Sequence, residues 1–206
     1  MDFKSIPDIV VGRLPRYLQA LEHMLQLGIK TTSSQELGES IGISAAQIRK
    51  DLSQFGEFGK QGTGYSIDYL VTQLQAILHV NQVWDLALVG IGDLGSALAR
   101  YQGFTNRGFR ILLAFDSDPE KVGRKINDLT IMDTGDMADL IRSYNIKIAM
   151  LTVPAGEAQK SADILVKGGI RAILNYAPIS LNVPADIHVE NLDPIIVLQH
   201  MTYYLE

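Results

Sequence analysis

The chain has 206 residues, of which 47% are apolar and 20% charged; it contains no cysteine and carries a formal net charge of −5. That composition excludes disulfides, thiolate zinc sites and cysteine nucleophiles, and it suits a folded protein with room for two small domains or one medium one. Charge is nearly balanced in both parts, with 7 basic against 8 acidic residues through position 80 and 11 against 15 beyond it. Affinity for a duplex comes largely from Lys and Arg on phosphates, so any DNA-binding face has to be a local patch. The opening Met1-Asp2-Phe3-Lys4 lacks the basic-then-apolar order of a signal peptide. No apolar run reaches the roughly 18 residues a membrane span needs. A cytoplasmic protein is expected, with no membrane partner.

Helical spacing of Tyr17, Leu18, Leu21, Met24 and Leu25 predicts a first helix from Pro15, stopped at Gly28. Ser33 and Glu36 form a capping-box pattern that opens a second helix, ending near Gly42. Ser44 and Gln47 repeat that pattern ahead of a third helix, which runs to Phe55 before Gly56. The glycines between Glu57 and Ile67, with β-prone ends, suggest a hairpin that reads as a wing. Asp68 can cap a fourth helix through about Asn81. Strands and helices then alternate as in a parallel sheet. Strands are expected at 86–89, 111–115, 146–153, 172–174 and near 187–189, and helices near 94–102, 135–144 and 155–168. Asp193-Pro194 starts a last helix, whose apolar face comprises Ile195, Leu198, Met201, Tyr204 and Leu205.

Gly90-Ile91-Gly92-Asp93-Leu94-Gly95 follows the first of those strands and opens a helix, the context in which a G-x-G-x-x-G run binds a dinucleotide. The first glycine permits the tight turn, the second lets backbone approach a pyrophosphate, and the third lets helix pack close to sheet. Asp116 ends the next strand, 21 residues past Gly95, where a carboxylate accepts from ribose hydroxyls and repels a 2′-phosphate; Asp118 strengthens that preference for NAD(H). Thr152, Val153 and Pro154, with Asn175 and Tyr176, end two further strands and are expected to wall the nicotinamide half. Asp93 is at odds with this reading, since it puts a carboxylate near the diphosphate.

In the third helix Ile48, Leu52 and Phe55 share one face, and Ala46, Arg49, Lys50 and Ser53 share the other. A helix-turn-helix needs that division, with an apolar back and a basic, small-residue front for the major groove. Arg49 suits guanine. Lys50, Ser53 and the neighbouring Gln47 suit phosphates or base edges; Arg13, Arg16 and, from the wing, Lys60, Gly64 and Tyr65 add backbone contacts.

Arg13-Leu14-Pro15-Arg16-Tyr17-Leu18, Ile48-Arg49-Lys50-Asp51-Leu52-Ser53-Gln54-Phe55-Gly56, Gly62-Thr63-Gly64-Tyr65, the glycine loop, Asp118-Pro119-Glu120-Lys121-Val122-Gly123, Leu151-Thr152-Val153-Pro154 and Asn175-Tyr176-Ala177-Pro178 together make the chain resemble the Rex family of redox-sensing repressors. That resemblance implies an α/β protein: a winged helix-turn-helix domain over 1–82, a Rossmann-type domain for NADH or NAD⁺ over 83–192, and a C-terminal helix over 193–206 exchanged between subunits. It also implies a homodimeric repressor, not an enzyme, that leaves a palindromic operator when NADH binds. Relatives often carry Asn or a basic residue where Asp93 stands, and Arg where Ser96 stands. Two other readings are a small NAD-dependent dehydrogenase and a nucleotide- or coenzyme-A-binding module. The dehydrogenase needs a placed acid or base, yet His23, His79, His188 and His200 all lie outside the expected cofactor loops.

Overall fold

A computed structural model describes residues 6–59 and 64–205. They form two compact units divided between Gln82 and Val83.

The first unit is helical. Its elements are α1 (Asp8–Val11), α2 (Leu14–Gln26), α3 (Ser34–Ile41), α4 (Ala45–Ser53) and α5 (Ile67–Ile77), with the short strands β1 (Thr31–Thr32) and β2 (Tyr65–Ser66). Their core gathers Tyr17, Leu21, Leu37, Ile48, Leu52, Leu70 and Leu74, and burying each side chain of this size is worth about 1.5–3 kcal/mol. The Ser33 hydroxyl accepts from the Glu36 amide and the Glu36 carboxylate accepts from the Ser33 amide, so the capping box at α3 is complete. Ser44 caps α4 through the Gln47 amide, but the Gln47 side chain turns away to Asp51 and the reciprocal half is not made. Between α3 and α4, Gly42 takes a left-handed φ of 71°, which closes the turn without Cβ strain.

Two expectations shift here. The β2 strand pairs antiparallel with β1, Thr31 opposite Ser66 and Thr32 opposite Tyr65, and residues 57–59 form no strand. Of the wing expected over Glu57–Ile67, the second arm is β2, and residues 60–63, including Lys60, lie outside the described residues. The α5 helix starts at Ile67 after Ser66, with Asp68 inside its first turn, and ends at Ile77 rather than near Asn81. His79, at φ 55°, closes a Schellman turn in which its amide donates to the Ala76 carbonyl and that of Val80 to Gln75. Without a glycine there, the stop was invisible in the pattern.

The second unit is a seven-stranded sheet in the order β5-β6-β4-β3-β7-β8-β9, built from β3 (Trp84–Val89), β4 (Phe109–Asp116), β5 (Lys125–Ile126), β6 (Leu129–Asp133), β7 (Ile148–Leu151), β8 (Ala172–Asn175) and β9 (His188–Asn191). All pairings are parallel except β5 with β6, a hairpin turning at Asn127 (φ 52°) that the sequence pattern did not suggest. Four helices complete the unit: α6 (Asp93–Arg100), α7 (Met137–Ser143), α8 (Ala155–Gly168) and α9 (Pro194–Thr202). The chain order runs β3-β4-β6 to one side and then returns past β3 to β7-β8-β9. Ligands in such sheets bind where that order reverses, at the carboxyl ends of the strands. Register places those ends level, with Val89 beside Phe115 and Leu151, and Leu151 beside Asn175. The α9 helix, capped by Asp193, leaves Ile195, Ile196, Val197 and Leu198 all more than half exposed. Apolar residues run around its whole circumference rather than along the one face expected.

Candidate nucleotide cleft and DNA-facing helix

At the level strand ends lies a cleft of about 570 Å³. It gathers Gly90, Gly92, Asp93, Leu94, Asp116, Thr152, Val153, Pro154 and Tyr176 from the expected set. It adds Ser117, Lys121, Thr134, Glu157, Lys160, Ser161 and Ile164, which the motifs did not flag. Lys160, Ser161 and Ile164 sit one and two turns along α8, where only the fold could show that they face the cleft.

The glycine loop has the anatomy its spacing promised. Gly90 adopts φ 92°, and a Cβ there would come within 2.8 Å of the Thr152 carbonyl oxygen. A Cβ on Gly95 would sit 1.9 Å from the Gly90 carbonyl oxygen, so α6 can lie against the strand only because that position is bare. Around Gly92 nothing comes within 4 Å, which leaves room on the cleft side. No described side chain caps α6, so its first amides are available to an anion in the cleft. Asp93 is exposed in that first turn, where its charge complements the helix's positive end. That is a physical reason for a carboxylate in this loop: it stabilises the helix terminus and would compete with an anion there.

Asp116 is nearly buried. Its Oδ2 accepts the Ile91 amide at 2.7 Å and the Lys121 ammonium at 3.1 Å, and its Oδ1 accepts the Asp118 amide at 2.9 Å. Burial pushes this carboxyl up, but the Asp118 and Ile91 amides and Lys121 outweigh it and hold it below the usual carboxylate range. Ile91 is itself 3% exposed and contributes its amide, its side chain filling the core. Asp118 does not line the cleft; its Oδ1 accepts the Glu120 amide and its Oδ2 stands 3.9 Å from Lys121.

The other strand ends divide. The Thr152 hydroxyl lies 2.7 Å from the Gly90 carbonyl and 3.0 Å from that of Val89, so it braces the loop. Tyr176 lines the cleft, with its phenol pushed above its ordinary value by burial. Asn175 is a correction. It is 0% exposed and lines no part of the cleft, because its amide nitrogen donates to Ile179 and Asn191 at 2.8 Å and its oxygen accepts the Ala177 amide. It builds the corner that carries Tyr176 instead of forming a wall.

In the first unit, α4 buries Ile48 and Leu52, with Phe55 buried just beyond its end, and exposes Ala46, Arg49, Lys50 and Ser53. Arg49, Ser53 and Tyr65 meet around a shallow groove also lined by Gly56, Glu57 and Gly59. The Tyr65 phenol is pushed up by burial, against an opposing pull from Arg49. Arg16 is exposed and donates to the Ile41 carbonyl at the end of α3. Gly64 is set by close approach, since a Cβ there would meet the Thr32 carbonyl oxygen at 2.5 Å.

Two expected DNA contacts are redirected, and Asp51, which was not among the expected contacts, is the reason. Fully buried on α4, it accepts from Arg13 Nε at 2.6 Å and Nη2 at 2.7 Å, from the Tyr17 hydroxyl at 2.6 Å, and from Gln47 Nε2 at 2.7 Å. A buried carboxylate with no partner would be costly, so the guanidinium fork of Arg13 and the amide of Gln47 are held inward. Burial pushes the Asp51 carboxyl up, yet these donors win and leave it below the ordinary range, while the Tyr17 phenol rises to about 12. A polar residue inside an apolar helix face was the available signal.

Among the described residues there is no cluster of three His, Asp or Glu that could hold a metal ion, and no helix long and apolar enough to cross a membrane.

These two units define a class: a helix-turn-helix unit joined to a dinucleotide-type α/β unit on one chain. A family described as "Putative DNA-binding protein N-terminus" matches residues 5–53, and one described as "CoA binding domain" matches residues 81–179. Across nearly its whole length the chain is 54% identical to the redox-sensing transcriptional repressor Rex of Chloroflexus aurantiacus, covering 97% of this chain and 94% of that one. It is 42% identical to that of Desulforamulus reducens, covering 98% and 96%. Among solved structures it superposes on RSP in complex with β-NAD⁺ and operator DNA with a TM-score of 0.92 at 41% identity, over 98% of this chain and 94% of that one. On RSP in complex with β-NADH the TM-score is 0.89 at 38% identity, over 98% and 95%. The chain belongs to the Rex family of redox-sensing transcriptional repressors. Membership makes it a repressor and not the dehydrogenase of the rival reading; the likeness to a coenzyme-A domain covers the second unit alone.

Proposed function

We propose that this chain binds an operator through the first unit and NADH in the cleft of the second, and that the two ligands oppose each other by linkage. The observation that carries the reading is the level alignment of Gly90, Asp116 and Thr152 at the reversal point of the sheet, with the amides of α6 facing the same cleft. In this pose the pyrophosphate lies over Gly92 and the start of α6, the adenosine ribose at Asp116, and the nicotinamide half toward Val153, Pro154 and Tyr176. Arg49, Lys50, Ser53 and Ala46 form the groove-facing side of α4, supported by Arg16 and Tyr65. Arg13 and Gln47 hold that helix through Asp51. Solved relatives with NAD⁺ and operator DNA, and with NADH, support the choice of ligands.

A second copy of the chain is the natural cover for α9, whose exposed Ile195, Ile196, Val197 and Leu198 would otherwise face water. A two-fold dimer then sets the operator as a palindrome with one α4 per half-site. A repressor that binds an operator would act in the cytoplasm, where the DNA is.

Operator gel shifts titrated with each cofactor test the reading. NADH is expected to release the DNA at concentrations where NAD⁺ leaves it bound. A tenfold preference is only about 1.4 kcal/mol, so sensing a ratio dominated by oxidised cofactor requires more than that. Equal release by both cofactors overturns the proposal. Asp93→Asn is expected to tighten NADH roughly fivefold, about 1 kcal/mol of relieved repulsion at solvent-exposed range, in a fluorescence titration. No change, or weaker binding, would show that the diphosphate does not pass that helix end.

A further inference from the structure

Asp116 is short of free acceptor positions. Each carboxylate oxygen has two lone-pair sites. Oδ2 fills both with the Ile91 amide at 2.7 Å and Lys121 Nζ at 3.1 Å, and Oδ1 fills one with the Asp118 amide at 2.9 Å. One site therefore remains for a ribose that brings two vicinal hydroxyls. The Lys121 ammonium has three donors and no acceptor. One points at Asp116, Asp118 Oδ2 is distant at 3.9 Å, and the side chain is 35% exposed where it lines the cleft. The second hydroxyl, with no acceptor left on Asp116, can instead accept at its oxygen from Lys121.

We propose that Lys121 is a specificity-determining residue of the cleft: it donates to the adenosine ribose beside Asp116, and its cation limits how strongly the site rejects a 2′-phosphate. The inference rests on the dinucleotide reading above and goes beyond it. Without Lys121, the Asp116 carboxylate would face a 2′-phosphate unscreened, with Asp118 adding its charge from outside the cleft; Lys121, in reach of both, offsets one charge and offers the phosphate a partner. Rejection of a phosphorylated ribose is then set by the balance of three side chains and not by the acid at the strand end.

The test uses the full-length chain and two probes, NADH by fluorescence titration and NADPH by competition against it. Lys121→Gln keeps a neutral donor, so NADH affinity should fall by less than about threefold while NADPH falls about tenfold further, widening the ratio of dissociation constants by about 1.4 kcal/mol. Lys121→Arg should restore the wild-type ratio. Asp116→Asn, with Lys121 retained, should narrow it. High salt should shrink all three differences, since the side chain is partly open to solvent. If Lys121→Gln weakens both cofactors by the same factor, Lys121 merely props Asp116 and the assignment fails; an unchanged ratio with unchanged affinities overturns it too. A wild-type chain that binds neither cofactor overturns the dinucleotide reading itself, which distinguishes the two failures.

Discussion

Asp51→Ala is expected to destabilise the first unit by about 3 kcal/mol, the lower end of the range for breaking a buried ion pair. The lower end applies because Arg13 keeps 20% of its side chain in water while Asp51 keeps none. The truncation strands the Tyr17 hydroxyl among apolar neighbours, leaves the Gln47 amide without this partner and frees α4 from α2. Urea unfolding followed by circular dichroism should show the loss. The single tryptophan, Trp84, belongs to the second unit, so its fluorescence should report that unit's transition nearly unchanged. NADH affinity should also persist while operator affinity falls. A wild-type midpoint in the Asp51→Ala variant would sink the idea of a buried clamp. The pH dependence follows from the same geometry. The folded pKa of Asp51 is depressed, so its contribution is fully present above the unfolded value of about 3.9 and is lost as pH falls through the folded value. Wild type and Asp51→Ala should therefore converge in stability at strongly acid pH.

Gly95→Ala is expected to abolish the NADH response at a cost to the second unit of about 1–3 kcal/mol, the usual penalty for overpacking. A methyl at 1.9 Å from the Gly90 carbonyl oxygen meets backbone, which cannot swing aside as a long side chain can. Helix α6 must tilt or slide, and its first amides leave the place where the pyrophosphate would lie. Trp84 fluorescence should report the lowered stability, and NADH should no longer release operator DNA even though the first unit still binds it. By contrast Gly92→Ala, with nothing within 4 Å of the added carbon, should leave stability near wild type and act on cofactor affinity alone. Equal destabilisation by the two substitutions would contradict the separate tasks assigned to these glycines.

Much of the architecture was legible in the chain because it is written in short-range pattern. Capping residues located α3 and α4, period-3.6 spacing divided α4 into a buried and an exposed face, and the glycine loop after a strand located β3 and α6. The errors share one cause. A hairpin of two-residue β5 and five-residue β6 is too short to show periodicity, its only sign being Asn127 at the turn. The wing strand paired with β1, more than 30 residues upstream, and no local pattern reports a partner that far away.

The site divides in the same way. Spacing along the chain determined the glycine loop, the acid at the end of β4 and the polar face of α4, because in each case the chemistry needs particular residue types within one turn or one strand. Tertiary structure decided which polar groups are spent inside the protein. It turned Arg13 and Gln47 inward onto Asp51, gave Asn175 to a loop corner, and brought Lys121 onto Asp116. The reason is that a polar group removed from water has to find its partners inside the fold, and those partners are chosen by packing in three dimensions, not by neighbours in sequence.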